Sequence, residues 1–204
     1  MEVVIISLVI LLFSAIVHEV AHGLVAEKLG DPTARLEGRI TLNPLVHIDP
    51  FASVLLPLLL LAAHSPVILG AAKPVPVNYH NLRNPKLGMA LVALAGPLSN
   101  IALAIIFGII IKTGLTNAIS APILFQAIVI NLVLGVFNLL PIPPLDGSKV
   151  LAGLGPTRWM YKLLEWERFG FLLVFIFLML GLLDKILWPA VILFFKIFQI
   201  PLAL

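Results

Sequence analysis

Residues 3–26 form an apolar run long enough to cross a bilayer, and its only ionisable residues are His18, Glu19 and His22. Without water in the hydrocarbon, a spanning segment must satisfy its own backbone, and a run of this length does so as a helix. Two imidazoles and a carboxylate are costly at that depth, so by default they mark a functional site. Residues i and i+4 share one helix face, so His18 and His22 can aim two ring nitrogens at one point. Glu19, one residue on, can reach a water there without joining the ligands. This is the spacing of a two-histidine zinc site with a glutamate general base. The plainer alternative, a core helix with its polar groups satisfied by neighbours, leaves three ionisable groups without a purpose.

The rest of the chain agrees with a membrane setting. Of 204 residues, 61% are hydrophobic and 11% charged, with a mean hydropathy of +1.13. That composition belongs to an integral membrane protein with room for about five or six helical spans. It leaves no space for a soluble domain of ~100 residues. The expectation is therefore one membrane domain over 1–204, with a core of about 1–155 and a helical hairpin over about 160–204. Met1-Glu2 lacks a basic start and no small-residue cleavage site follows, so the first span is expected to be retained. Cysteine is absent, which leaves histidine and carboxylate as the metal ligands. The net charge of +3 comes from basic residues between apolar runs, which is a topology signal and not a nucleic-acid surface.

Apolar runs fall at 3–26, 51–72, 87–111, 121–140, 169–183 and 186–204. The last two are short and flank Asp184-Lys185, as in a tightly turned hairpin. The second contains Pro57 and breaks at His64-Ser65-Pro66, about 20 Å into a ~30 Å core. If all six runs cross, the loop lysines and arginines divide nearly evenly between the faces. If 51–72 enters and leaves on one side, only Lys112 and Lys185 lie opposite the rest. The positive-inside rule favours this second arrangement. The expected fold is thus all-α and polytopic, with about five transmembrane helices and one re-entrant segment. The N-terminus would be outside, the site towards the cytoplasm, and the location a prokaryotic cytoplasmic membrane.

A catalytic zinc needs a third protein ligand and an open position. Most remaining acids lie at interfaces or in polar loops. Asp146 ends the fourth run in Asn138-Leu139-Leu140-Pro141-Ile142-Pro143-Pro144-Leu145-Asp146-Gly147, where three prolines rule out a regular helix. In the topology above this segment reaches the His18/His22 face, and its carboxylate can turn inward. A simple proline-rich turn is the alternative.

These residues resemble the site-2 protease family of intramembrane zinc metalloproteases. The resemblance rests on His-Glu-x-x-His together with Asn-x-x-Pro-x-x-Pro-Leu-Asp-Gly. Further matches are Gly38–Pro44, His47–Pro50, Ala72–Asn78 and Ala95–Asn100, so it covers about residues 10–155. It implies that His18, His22 and Asp146 hold one Zn2+ and that Glu19 is the catalytic base. It also implies that Asn138, Asn100, Gly96 and Pro97 bind substrate or the transition state. The substrate would be a transmembrane protein cut within or near its span, and the chain a compact form without a PDZ or nucleotide-sensing domain.

The other histidines, His47, His64 and His80, are expected to serve hydrogen bonding or interfaces, with His64 at the tip of the re-entrant segment. Segments 35–43 and 73–78 read as short extended edges near the site, able to hold a substrate extended. Two other functions compete: a membrane metal carrier, in which Glu19 has no task, and a silent relative that binds membrane helices without cutting them.

Overall fold

A computed structural model describes residues 2–49, 55, 59 and 73–200. The expected re-entrant run and His64 therefore lie outside the described residues. Everything regular among the described residues is helical. Three helices are long and apolar enough to cross a membrane: α1 (Glu2–Lys28), α2 (Pro85–Lys112) and α3 (Ser120–Asn138). Shorter helices follow: α4 (Asp146–Leu154), α5 (Thr157–Glu167), α6 (Gly170–Met179) and α7 (Asp184–Phe198). The protein is an integral membrane protein, all-α among the described residues.

Local sequence sets the helix ends. Asn84 caps α2 by accepting the Leu87 N–H, and Pro85 takes the first helical position, where no N–H is needed. Asn117 accepts the Ile119 and Ser120 N–H groups ahead of α3. After Asn138, Pro141, Pro143 and Pro144 cannot donate to a helical ladder, so the chain turns until Asp146 starts α4.

Side-chain contacts fix how the three long helices lie. His22 meets Val92 and His18 meets Asn100, so α2 runs antiparallel to α1. Gln126 donates to Ser7 and Asn131 to Ser14, so α3 runs parallel to α1. Small residues permit the close packing: a Cβ at Gly135 would stand 3.1 Å from the Pro97 carbonyl oxygen on α2. The outer face of α1 (Val3, Val4, Ile5, Leu8) stays exposed, as a lipid-facing surface should. On the far side, Val191, Phe194 and Phe195 of α7 close a core with Ala104, Ile128 and Leu132.

Two expectations meet a different structure. The two C-terminal runs form α6 and α7, which meet at 76° across a short break instead of folding back as a hairpin. Each is shorter than the hydrocarbon core at 1.5 Å per residue. No strand forms among the described residues. Arg35 and Leu36 close a helical turn (Thr33–Leu36), and 39–43 is irregular, because local helical bonds won over the two-residue alternation. Residues 73–78 are likewise free of helix and strand.

Candidate metal centre

His18, His22 and Asp146 come together from two separate elements: α1 carries the histidines and the first turn of α4 carries the aspartate. His18 Nε2 lies 3.0 Å and His22 Nε2 3.2 Å from the same Asp146 oxygen, Oδ2. All three side chains are buried, at 7%, 8% and 8% exposure. Their ligating atoms fall within 4.8 Å of one another.

Hydrogen bonding behind the rings decides what those atoms are. His18 Nδ1 is 2.6 Å from Asn100 Oδ1 and His22 Nδ1 is 2.7 Å from the Val92 carbonyl oxygen. Both partners accept only, so each Nδ1 carries a proton, and in the neutral rings each Nε2 presents a lone pair. Two lone pairs and a carboxylate oxygen then face one another in a buried space. Three acceptors this close call for a cation between them. Tetrahedral zinc with bonds of 2.0–2.1 Å would separate its ligand atoms by about 3.3 Å, close to the spacing here. The donor set fits zinc.

Gly96 makes the room. A Cβ there would sit 2.4 Å from His18 Nε2 and 2.5 Å from His22 Nε2, so any side chain would occupy the space that both nitrogens address. Asn100 lies one turn further along α2. Its Nδ2 donates to Asn131 Oδ1 (2.9 Å) and to the Ser14 carbonyl oxygen (3.1 Å). Asn131 Nδ2 in turn donates to Ser14 Oγ (2.9 Å) and to the Ala127 carbonyl oxygen. Asn100 and Asn131 are wholly buried. This polar chain joins α1, α2 and α3 and fixes the orientation of the His18 ring.

Glu19 is half-buried, and its Oε2 accepts the main-chain N–H of Val75 at 2.7 Å. Lys149, one turn after Asp146, brings its ammonium to 3.9 Å from Asp146 Oδ1. Burial opposes its charge, but Tyr79 and the carboxylates of Asp146, Glu167 and Glu19 outweigh this and raise the lysine above its ordinary value.

The structure thus unites His18, His22 and Asp146 and sets Glu19 beside them. Of the other expected site residues, Asn100 lies behind the His18 ring and Gly96 against both histidines, both buried. Pro97 is fully buried between α2 and α3. Asn138 is half-buried and spends its Nδ2 on the Leu134 carbonyl oxygen of its own helix (3.0 Å). His47 donates through Nε2 to the Thr41 carbonyl oxygen, and His80 is exposed. Asn131, Ser14, Val75 and Lys149 were not singled out from sequence. Asn131 carries the one available signal, an amide in the middle of an apolar run.

Comparison with known proteins finds similarity to zinc metalloproteases. Residues 110–181 match peptidase family M50. The chain is similar to YwhC of Bacillus subtilis, described as a candidate zinc metalloprotease: 38% identity over 193 residues, 88% of this chain and 82% of that one. It is similar to Rip2 of Mycolicibacterium smegmatis, of the same description, at 30% over 191 residues, 90% and 70% of the two chains. Zinc metalloprotease MJ0392 of Methanocaldococcus jannaschii is 27% identical over 155 residues, 76% of this chain and 36% of that one. No solved structure gives a significant match.

Proposed function

The chain belongs to peptidase family M50 and is an intramembrane zinc metalloprotease, and from that premise we propose that His18, His22 and Asp146 hold its zinc and that Glu19 is its general base. The observation that carries this reading is the convergence of two Nε2 lone pairs and one carboxylate oxygen, each within 3.2 Å of its neighbour on Asp146. When bound, zinc lowers the pKa of a water towards ~7 and polarises the scissile carbonyl.

The chain's own groups do the rest. Glu19 takes the proton of the attacking water and delivers it to the leaving amine, a transfer that needs the carboxylate within hydrogen-bond reach of both. The Nδ1 partners keep both imidazoles in the ligating tautomer throughout. Lys149 balances the free oxygen of Asp146. Asn138 reaches a substrate carbonyl only by releasing Leu134. The substrate is a membrane protein whose transmembrane helix approaches laterally and unwinds locally, because helical amides are shielded.

The proposed topology has the N-terminus outside a prokaryotic cytoplasmic membrane and the zinc towards the cytoplasm. What supports a re-entrant 51–72 is the hydrogen bond from the Arg83 N–H to the Leu29 carbonyl oxygen (3.0 Å). The end of α1 and the start of α2 lie side by side, so one crossing between them would leave the two ends on opposite faces. The five-crossing count requires α6 and α7 to cross separately; as one bent span they make four in all. The bacterial and archaeal relatives support the location.

The test is cleavage of a single-span substrate protein in detergent by wild type and Glu19→Gln, with zinc content measured for both. Zinc in both and cleavage by wild type alone supports the reading. Equal cleavage by the two proteins refutes the role of Glu19, and absence of zinc in both refutes the ligand set.

A further inference from the structure

Glu19 is held from outside its own helix, by the segment 73–78. Val75 stands between Pro74 and Pro76, neither of which has an N–H. It therefore supplies the one main-chain donor of residues 74–76, and that donor goes to Glu19 Oε2 at 2.7 Å. The Val75 side chain is buried against α1: a Cβ at Gly23 would lie 3.1 Å from its Cγ1. Gly23 follows Glu19 by four residues, on the same helix face.

Both ends of this segment are fastened. Buried Arg39 donates through Nη2 to the carbonyl oxygens of Lys73 (2.7 Å) and Pro74 (3.2 Å). The Lys73 N–H donates to the His47 carbonyl oxygen (2.8 Å). At the other end, buried Asp31 accepts the Asn78 N–H (2.7 Å) and Asn81 Nδ2 (2.9 Å). Arg39 and Asp31 thus pin the strap 73–78 on either side of the one amide that faces the glutamate.

We propose that the Val75 main-chain amide is the positioning donor of the general base. This rests on the reading of Glu19 as that base. A glutamate side chain has several rotatable bonds, and proton transfer needs its oxygen held within hydrogen-bond reach of the water. The Val75 N–H fixes Oε2 and leaves the other oxygen free to take the proton. The two prolines keep the strap from turning that donor elsewhere, since no neighbouring N–H can replace it.

Replacing Val75 by its α-hydroxy analogue turns the Pro74–Val75 amide into an ester, which removes the N–H and weakens the Pro74 carbonyl as an acceptor for Arg39. Val75→Pro removes the N–H genetically, with a ring in place of the side chain, and Val75→Ala keeps the donor while shortening the side chain. Each is assayed as the full chain on a single-span substrate protein, alongside Glu19→Gln, with zinc content measured throughout. The expected result is a kcat lowered on the order of 10–100-fold in the ester and Val75→Pro, as for loss of a supporting hydrogen bond. KM and zinc content stay at wild-type values, and Val75→Ala, which keeps the N–H, loses less kcat than the ester. A kcat at or above the wild-type value in the ester overturns the positioning role alone, provided Glu19→Gln is inactive. Full activity in Glu19→Gln removes the base itself and this proposal with it. Loss of kcat in Val75→Ala equal to that in the ester also overturns it, because packing would then explain both.

Discussion

His18 Nδ1 and Asn100 Oδ1 stand 2.6 Å apart inside the bundle, and that contact determines which nitrogen of His18 is available to a metal. Because Asn100 Nδ2 is committed to Asn131 and the Ser14 carbonyl oxygen, the amide cannot reverse without losing both bonds. Asn100→Leu should therefore weaken zinc binding on the order of 10–100-fold, with Asn131→Leu showing a smaller loss because it acts one step removed. Competition with a chelator of known affinity measures this. Equal zinc affinity in all three proteins would refute the role of the chain.

Gly96 makes a sharper prediction. Its missing Cβ leaves free a point within 2.5 Å of both ligating nitrogens, so Gly96→Ala should abolish zinc retention while the protein still migrates as a folded species on size exclusion. Gly108→Ala is the control. A Cβ there meets the Phe198 ring at 3.1 Å, far from the metal, and zinc should be retained.

Asp31 anchors the strap through a carboxylate that accepts from Thr33, Asn78 and Asn81. Burial raises its pKa, but these hydrogen bonds outweigh that and leave the carboxyl below its ordinary value. Its contribution to stability is thus full above the unfolded carboxyl value of ~3.9 and is lost as pH falls through the lower folded one. Asp31→Asn should cost about 1–3 kcal/mol at pH 7, because an amide nitrogen would face donors. Thermal unfolding in detergent should show the gap between wild type and variant closing in acid.

Topology is testable at one residue. The chain has no cysteine, and His80 is exposed in the short turn Tyr79–Asn81 before α2. His80→Cys should react with an impermeant thiol reagent only after the cytoplasmic face is opened. Labelling from the outside of intact cells would sink the proposed orientation.

The grouping of His18, His22 and Asp146 was legible in the sequence because each residue carries a local signal. His18 and His22 are four residues apart on one helix, and Asp146 sits where prolines free the backbone. The three long helices were equally legible, since apolar length alone dictates them. Contacts made only in three dimensions were not. The family resemblance offers Asn100 as a substrate residue, and only the packing of α3 beside it reveals its hydrogen bonds to Asn131 and His18. Val75 carries no functional group, so no side-chain pattern could point to its amide. The alternation at 35–43 suggested a strand, but the turn bonds of Leu36 to Pro32 and Glu37 to Thr33 closed a helix there first.

The strap has one more consequence. Pro74 and Pro76 leave Val75 as the single main-chain N–H of three consecutive residues. A slip of the strap by one residue would therefore bring a proline opposite Glu19 and offer it no donor at all, so the register of residues 73–78 on α1 is all-or-none at this contact.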